Sequence, residues 1–335
     1  MKVLLYHLTP FAFAHGGLHT QIVQTRKALE TLGVEVEFLR WWDQNQTGDI
    51  LHVFGRLWRL NVELAQGRGM KVVLAELLTE QSSRSKRRLA LQKMARLMVE
   101  RTLLRQTQLY AWGSYRLADA CVALTAWEAR LMQRLYGAAP AKTHVVPNGV
   151  EDAFLSSQPT QRGPWLVCTA TITERKRVLE LAEAAVRAQT RLWVVGKPYS
   201  ESDVYYQRFC SLAKAHPGTL RYEGPIQGRE ELARVYREAR GFVLLSAMES
   251  LSLSALEAAA CECPLLLSRL PWATTVFGPS ACYCPVTSSA ARTAGYLRQF
   301  HDAAPNLKPP PRPLTWLEVG LQLKRLYETL LSTSR

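Results

Sequence analysis

The stretch that decides the fold runs from Ala247 to Ser268, AMESLSLSALEAAACECPLLLS. Just before it, Phe242 to Leu245 (FVLL) is an apolar run of buried-strand length. Within it, Ala255 to Ala260 has the composition of a helix, and Pro264 to Leu267 (PLLL) is a second buried-strand run. Strand, polar loop, helix, strand is the order of an open α/β sheet, whose loops at the carboxyl ends of the strands bind ligands. Free amides at the helix start favour an anion there. Two carboxylates, Glu249 and Glu257, stand eight positions apart across that loop and the helix start. One in the loop and one in the first turn would grip hydroxyls on either side of a bound phosphate, which outlines a nucleotide-sugar site. Ser254-Ala-Leu-Glu257 is also a capping box, with its Ser and Glu side chains satisfying the first helical amides. A cap accounts for Glu257 but leaves Glu249 without a task, so the pair says more than either member.

The same alternation extends in both directions. Upstream, KVLLYHL, VEVEFLR, DILHVF, KVVLAEL, ADACVAL and THVVPNGV read as strands, with helices from about Gly17 to Leu32, through the basic stretch after residue 81, and up to Tyr136. Strand–helix alternation predicts a parallel sheet covered on both faces. SSQPTQRGP (Ser156 to Pro164) has linker composition. The pattern then starts again with WLVCTA, a helix from about Lys176, RLWVVG, TLRYEG and EELARVYREA, and closes with an amphipathic helix from Trp316 to Leu331. The expected architecture is α/β, with two doubly wound Rossmann-like domains facing a cleft. Residues 1–155 form the first, 156–164 a linker and 165–314 the second, and helix 315–331 crosses back. No sequence repeat relates the halves; only element order does.

Composition narrows the class. With 335 residues the chain has room for two cores. No run approaches the roughly 18 apolar residues of a membrane span, and KVLLYHL followed by a Gly pair fits a first strand better than a signal peptide. A cytoplasmic protein is expected. Seven cysteines with scattered spacing make no disulfide framework. Cys261-Glu-Cys263 and Cys282-Tyr-Cys284 lack ribbon or finger spacing and fit buried small hydrophobes better than zinc ligands.

The net charge is +14 and unevenly placed. Residues 81–105 carry Arg84, Lys86, Arg87, Arg88, Lys93, Arg96, Arg101 and Arg105 against Glu100 alone, with Leu89, Met94, Leu97, Met98 and Leu104 interleaved at helical spacing. Such a helix suits an anionic membrane surface, reached through residues 84–105. A helix packed by its apolar stripe, with a solvated basic face, is the plainer alternative. Nucleic acid is disfavoured, because no helix-turn-helix, finger or stacking motif accompanies the charge.

Further residues sit where ligands are expected. Gly16-Gly17 follows the first strand and opens the first helix, which lets backbone approach a phosphate, although an ordinary turn explains it as well. Arg175-Lys176-Arg177 lies where the first strand of the second domain hands over to its helix. Three cations oppose the helix dipole there, and a bound diphosphate would reverse that balance. No Asp-x-Asp pair offers a site for Mg²⁺ or Mn²⁺. Arg and Lys are then the natural means of neutralising phosphate, with no metal or other cofactor expected.

These residues, in this order, resemble the retaining glycosyltransferases of the GT-B fold, family four (glycosyl transferases group 1). The resemblance covers most of the chain. It includes VVPNGVE (Val145 to Glu151), TERKRVLEL, the run from YEGPIQGREELARVYREARG through the two glutamates, and TWLEVGLQLKRLY. It implies a nucleotide-diphospho-sugar held mainly by the C-terminal domain, with UDP- or GDP-sugars foremost, and a glycan or lipid-linked acceptor held by the N-terminal one. On this mapping Glu257 binds ribose hydroxyls, Glu249 binds a hydroxyl of the donor sugar, and Arg175 and Lys176 neutralise the diphosphate. Amides of Ser250, Leu251, Ser252 and Leu253 hold phosphate or sugar oxygens, and Gly16 and Gly17 close from the other domain. Transfer would retain anomeric configuration without metal.

Departures from the family pattern are specific. Glu249-Ser250-Leu251-Ser252-Leu253 stands where the family has Glu-Gly-Phe-Gly-Leu, and Glu262 replaces another common glycine. Thr171 stands where many members carry a phosphate-binding arginine. The family's first-domain histidine has no obvious counterpart, and Glu76, His52 and His15 are the candidates near its place. The Ser-for-Gly changes motivate the competing expectation of a non-catalytic scaffold or partner subunit that kept the fold.

Overall fold

A computed structural model describes residues 1–9, 16–99, 101–102, 111–156 and 161–333. It divides into two compact units, residues 1–149 with 314–335, and residues 150–313. Every strand pairing in both is parallel, as the alternation predicts.

In the N-terminal unit the strands are β1 (Lys2–Tyr6), β2 (Glu35–Phe38), β3 (Ile50–Val53), β4 (Lys71–Leu74), β5 (Ala120–Ala123) and β6 (Thr143–Val145), in the spatial order β2-β1-β3-β4-β5-β6. Its helices are α1 (Gly17–Thr31), α2 (Arg59–Gly67), α3 (Thr79–Ser82), α4 (Lys86–Val99), α5 (Ser114–Leu117) and α6 (Ala126–Tyr136). The buried runs ILHV, VVL and ACVA fill the middle of the sheet, with Leu131, Met132 and Leu135 of α6 packed against them. α6 starts on a Thr125 cap, whose hydroxyl accepts from Glu128 N–H, and ends on Gly137 in the left-handed region.

The C-terminal unit repeats the plan. Its strands are β7 (Leu166–Thr169), β8 (Leu192–Val195), β9 (Leu220–Tyr222), β10 (Gly241–Leu244), β11 (Leu265–Ser268) and β12 (Cys282–Cys284), ordered β12-β11-β10-β7-β8-β9. Helices α7 (Val178–Ala188), α8 (Val204–Ala215), α9 (Arg229–Glu238), α10 (Leu253–Ala260), α11 (Pro271–Phe277) and α12 (Ala290–Ala303) connect them. The predicted helix from Lys176 begins instead at Val178, because Arg175 and Lys176 belong to a short 3₁₀ turn and Arg177 turns left-handed at φ 54°.

The last helix, α13 (Trp316–Ser332), opens on a Thr315–Glu318 capping box and packs on α1. There is no room for a side chain at Gly320, where a Cβ would meet Ala28 Cβ at 2.8 Å. The chain leaves the N-terminal unit after Gly149, earlier than the predicted linker, and re-enters it at Leu314. The described end of that linker is packed structure. Arg162 donates to the carbonyls of Tyr236, Arg237, Ala239, Cys261 and Glu262, and Gly163 N–H donates to Glu238 O. An arginine spending its donors on five carbonyls is a pin, not a hinge.

Candidate functional site

In the C-terminal unit β7 and β10 are neighbours, yet β7 runs on to β8 on one side while β10 runs on to β11 on the other. Their exit loops part at this switch point, the place where doubly wound sheets bind ligands. Ala247 N–H donates to Arg175 O at 2.8 Å and ties the two loops together. Lys176 Nζ donates to Glu249 Oε1, and Arg175 Nη1 reaches the same oxygen at 3.4 Å while donating to Met248 O at 3.1 Å. Glu249 is buried and Arg175 partly exposed. Two cations on one carboxylate explain why cations are tolerated at this turn. Arg177 leaves the cluster, its guanidinium donating to Val286 O at 2.6 Å. Thr171 lies half-buried in the same β7 exit loop.

The helix that follows Glu249 corrects one expectation. α10 starts at Leu253 and its cap is Ser252, whose Oγ accepts from Ala255 N–H at 3.3 Å. The Ser254–Glu257 capping box does not form, because the helix begins earlier and carries Glu257 into the second turn. Freed from that task, the Glu257 carboxylate points at α9. Its Oε2 accepts from the Tyr236 hydroxyl at 3.2 Å, and its Oε1 lies 3.6 Å from Arg229 Nη1. Arg229 Nε also pairs with Glu151 at 3.0 Å, and Tyr236 shares a hydrogen bond with the Thr169 hydroxyl at the end of β7. Burial pushes the Glu257 carboxyl above its usual range, against the pull of Arg229 and the Tyr236 hydroxyl. Ser250, Leu251 and Ser252 are buried beneath these charges, next to the half-buried Leu253.

Arg229, Tyr236 and Glu151 join the candidate site through these contacts, and the sequence reading missed them. A signal existed for two of them. Arg229 and Tyr236 are seven apart on one helix and therefore share a face. Among the described residues, the only non-glycine residues at positive φ are Arg177, Gln189 and Glu262. Ser250 and Ser252 thus occupy the glycine places of the loop without left-handed strain, whereas Glu262 does take the conformation that glycine favours.

The N-terminal unit carries its own chemistry at the carboxyl edge of its sheet. Gly16, at φ 146°, a value glycine alone takes freely, precedes the first turn of α1. Glu76, just past β4, accepts from Arg56 Nε at 3.0 Å, from Arg56 Nη2 at 2.8 Å and from the Tyr115 hydroxyl. Arg56 in turn lies over the Tyr136 ring at 5.3 Å. His52 is excluded as a site residue: it is buried inside β3, with Nδ1 sharing a 2.6 Å hydrogen bond with Tyr327 OH. His15 lies outside the described residues.

The basic helix also departs from its plainer reading. Of the apolar stripe, Leu89 is buried, whereas Met94 and Met98 are 60% and 64% exposed, and Leu91 beside them is 66% exposed. Arg87, Arg88 and Lys93 are exposed too. Arg84 is held by Glu80 and Gln92, and Leu104 and Arg105 lie outside the described residues. No helix among the described residues is long and apolar enough to cross a membrane.

Comparison with known proteins agrees with this fold. Residues 163–299 match the profile of glycosyl transferases group 1, and residues 49–154 match that of Glycosyltransferase Family 4. D-inositol 3-phosphate glycosyltransferase of Acidothermus cellulolyticus is 31% identical over 179 residues, which are 47% of this chain and 40% of that protein's length. The crystal structure of Anabaena HepE in complex with UDP and glucose superposes with a TM-score of 0.66 at 11% identity, covering 98% of this chain and all of that one. Sucrose-phosphate synthase of Thermosynechococcus elongatus superposes with a TM-score of 0.62 at 17% identity, covering 99% of each chain. The fold of both is that of the two parallel-sheet units described above. With both halves matched and the glutamate loop in place, the chain belongs to the family-four, group 1 glycosyltransferases of the GT-B fold.

Proposed function

We propose that this protein is a retaining glycosyltransferase that moves a sugar from a nucleotide-diphospho-sugar to a glycan or lipid-linked acceptor without a metal ion. The observation that carries the reading is the meeting of Glu249, Lys176 and Arg175 at the β7–β10 switch point, with Glu257 on the adjoining helix. Glu257, buried yet held by Arg229 and Tyr236, offers a carboxylate oxygen to a ribose diol. Lys176 and Arg175 carry positive charge beside the amides that open α10, so the departing diphosphate meets fixed charge as it forms. Glu249, its charge offset by the two cations, accepts from a hydroxyl of the donor sugar. The bond from the anomeric carbon to the diphosphate breaks, and the acceptor oxygen bonds to the same face. Its proton passes to the diphosphate oxygen.

A UDP-sugar donor is favoured over a GDP-sugar by the likeness to the UDP complex of HepE. The acceptor falls to the N-terminal unit, and the exposed Arg87, Arg88 and Lys93 of α4, beside exposed Leu91, Met94 and Met98, support a seat for that unit on an anionic membrane surface. The scaffold reading loses its motive, since both serines of the donor loop sit unstrained. Thermal unfolding of the purified chain with UDP, GDP, ADP, TDP and CMP tests the proposal, because a ligand that binds only the folded state raises Tm. UDP alone should raise it, and EDTA should leave the rise unchanged. No rise with any of the five defeats the reading.

A further inference from the structure

Two tryptophans follow β2 at the carboxyl edge of the N-terminal sheet. Trp41 is 84% exposed and Trp42 68%, with ring centroids 5.7 Å apart and ring planes at 90°. They are the two central residues of a turn closed by Asp43 N–H donating to Arg40 O at 3.1 Å. Such positions favour Pro, Asp, Asn, Ser or Gly, and nothing local asks for an indole.

The turn beneath them is tied down on every side. Arg40 donates to Asp43 Oδ2 at 2.9 Å and to Glu37 Oε2 at 2.8 Å. Gln46, itself buried, donates to the same Glu37 oxygen and to Phe38 O, and accepts from Arg40 N–H at 2.7 Å. Lys2 Nζ, from β1, pairs with the other Glu37 oxygen at 2.7 Å. A loop fixed by these side-chain contacts and tipped with two solvent-facing indoles is a rigid presentation of apolar area. Ordering costs little more when a ligand arrives.

We propose that the Trp41–Trp42 turn is a carbohydrate subsite, on which a sugar ring of a glycan acceptor stacks its C–H face. The proposal rests on the glycosyltransferase reading above for the word acceptor, but the stacking does not depend on it. Electron-rich indole faces attract the weakly positive axial C–H groups of a pyranose. The exposed amides of Gln44 and Asn45, next along the turn, can meet the ring hydroxyls. Charge decides against a lipid surface. The carboxylates Glu35, Glu37, Asp43 and Asp49 around the turn are offset by Arg40, by Lys2 paired with Glu35 and Glu37, and by the N-terminal amine near Asp49, which leaves no surplus of cations there. Such a turn offers an anionic bilayer no attraction, whereas a neutral polyhydroxylated ring needs none. The turn also shares the carboxyl sheet edge with Gly16 and Glu76, as an acceptor subsite must.

The full chain labelled with 5-fluorotryptophan provides the test, its Trp41 and Trp42 signals assigned from W41F and W42F. It is titrated with maltose, cellobiose, lactose and chitobiose, and separately with phosphatidylcholine vesicles with and without phosphatidylglycerol. Saturable shifts of those two signals with at least one saccharide are expected, at a Kd on the order of millimolar, with the remaining indoles unmoved. The W41A/W42A variant should weaken that binding at least roughly tenfold while keeping its Tm and its response to UDP. No saccharide-dependent shift at either signal, or shifts with vesicles only, overturns the proposal. A failed UDP response in the unaltered chain would strike the donor reading and leave the saccharide titration to stand or fall by itself.

Discussion

The two units share one plan and use it in opposite ways. At the carboxyl edge of the C-terminal sheet the carboxylates are buried and paired: Glu249 with Lys176 and Arg175, Glu257 with Tyr236 and Arg229. On the N-terminal unit the conspicuous groups face solvent: Trp41 and Trp42 on a tied turn, and Leu91, Met94 and Met98 along α4. A donor of fixed chemistry rewards groups locked in place before it binds, since preorganised charge costs no reorganisation during reaction. On the proposed function, an acceptor that is large, or seated in a lipid layer, would be met by exposed area instead. The difference also appears in Glu76, which on the N-terminal side is consumed by Arg56 and Tyr115.

The most severe way to break this contrast is to remove one member of the buried pair. Lys176→Ala removes the closer of the two cations on the buried Glu249, and should destabilise the C-terminal unit by about 3 kcal/mol and abolish turnover. Thermal unfolding, with transfer assays in parallel, separates two meanings. The K176M/E249Q double variant removes both charges and should recover most of the stability but none of the transfer. Recovery of transfer as well would show the pair to be structural. Glu257→Gln should leave the fold intact and remove the UDP response, with donor affinity falling by about a hundredfold, roughly 2.7 kcal/mol.

His52 gives the next largest effect, this time in the N-terminal unit. Burial lowers its pKa to about 3. Its ring, with Gln21 and Asn148, lines a cavity of about 10 Å³, and its Nε2 has no hydrogen-bond partner among the described residues. Below pH 6.5 the unfolded chain takes up a proton at His52 that the folded unit refuses. Stability is therefore complete above pH 6.5 and falls as pH drops towards 3, by up to about 1.4 kcal/mol per pH unit. Hydrogen exchange of β3 and α13 between pH 7 and 4.5 should show this loss, and His52→Gln should flatten it. An unchanged slope in that variant would assign the acid lability elsewhere.

Tyr236→Phe is the milder probe of the donor side. It deletes the hydroxyl between Thr169 and Glu257 and should cost about 1.5 kcal/mol. It should also raise the Glu257 pKa further, because that hydroxyl stabilises the carboxylate. UDP binding would then fade at a higher pH in the variant than in the unaltered chain, a shift that titration calorimetry between pH 5 and 7.5 would measure. An identical pH profile would place the carboxylate outside the nucleotide contact.

Much of the fold was legible because burial writes itself into sequence. The runs KVLLY, ILHV, VVL, LVCT and LLLS are apolar enough to be strands of a doubly covered sheet, and their order implies crossover helices. Glu249 and Glu257 were legible as a pair, and so were the cations of residues 175–176. What stayed hidden is tertiary. Whether Ser254 or Ser252 caps α10 depends on where the β10 loop releases the chain, and only the earlier cap turns Glu257 towards α9. Tyr236 and Arg229 gain their task from a helix distant in sequence. Tryptophan is usually buried, so nothing in WWDQNQ announces that both indoles face water.

The finest test of the contrast concerns α4, and it turns on which face of the helix looks outward. Leu89 and Arg96 are seven apart and both buried, so they mark the packed side. At 100° per residue, Arg87, Leu91, Met94 and Met98 cluster on the opposite side, and the first and last are three turns apart. A helix whose outward stripe is apolar but for Arg87, with Arg88 on its flank, has the arrangement that lies in a bilayer interface rather than the one that stays in water. Each cation near an anionic surface contributes about 1 kcal/mol. Arg87→Gln should therefore weaken binding to phosphatidylglycerol vesicles by about fivefold with no change in Tm. Met94→Ser should weaken it comparably even on neutral vesicles, since it removes apolar contact and no charge. If flotation is unaffected by either change, the exposed stripe of α4 serves something other than a membrane, and the acceptor need not be lipid-linked.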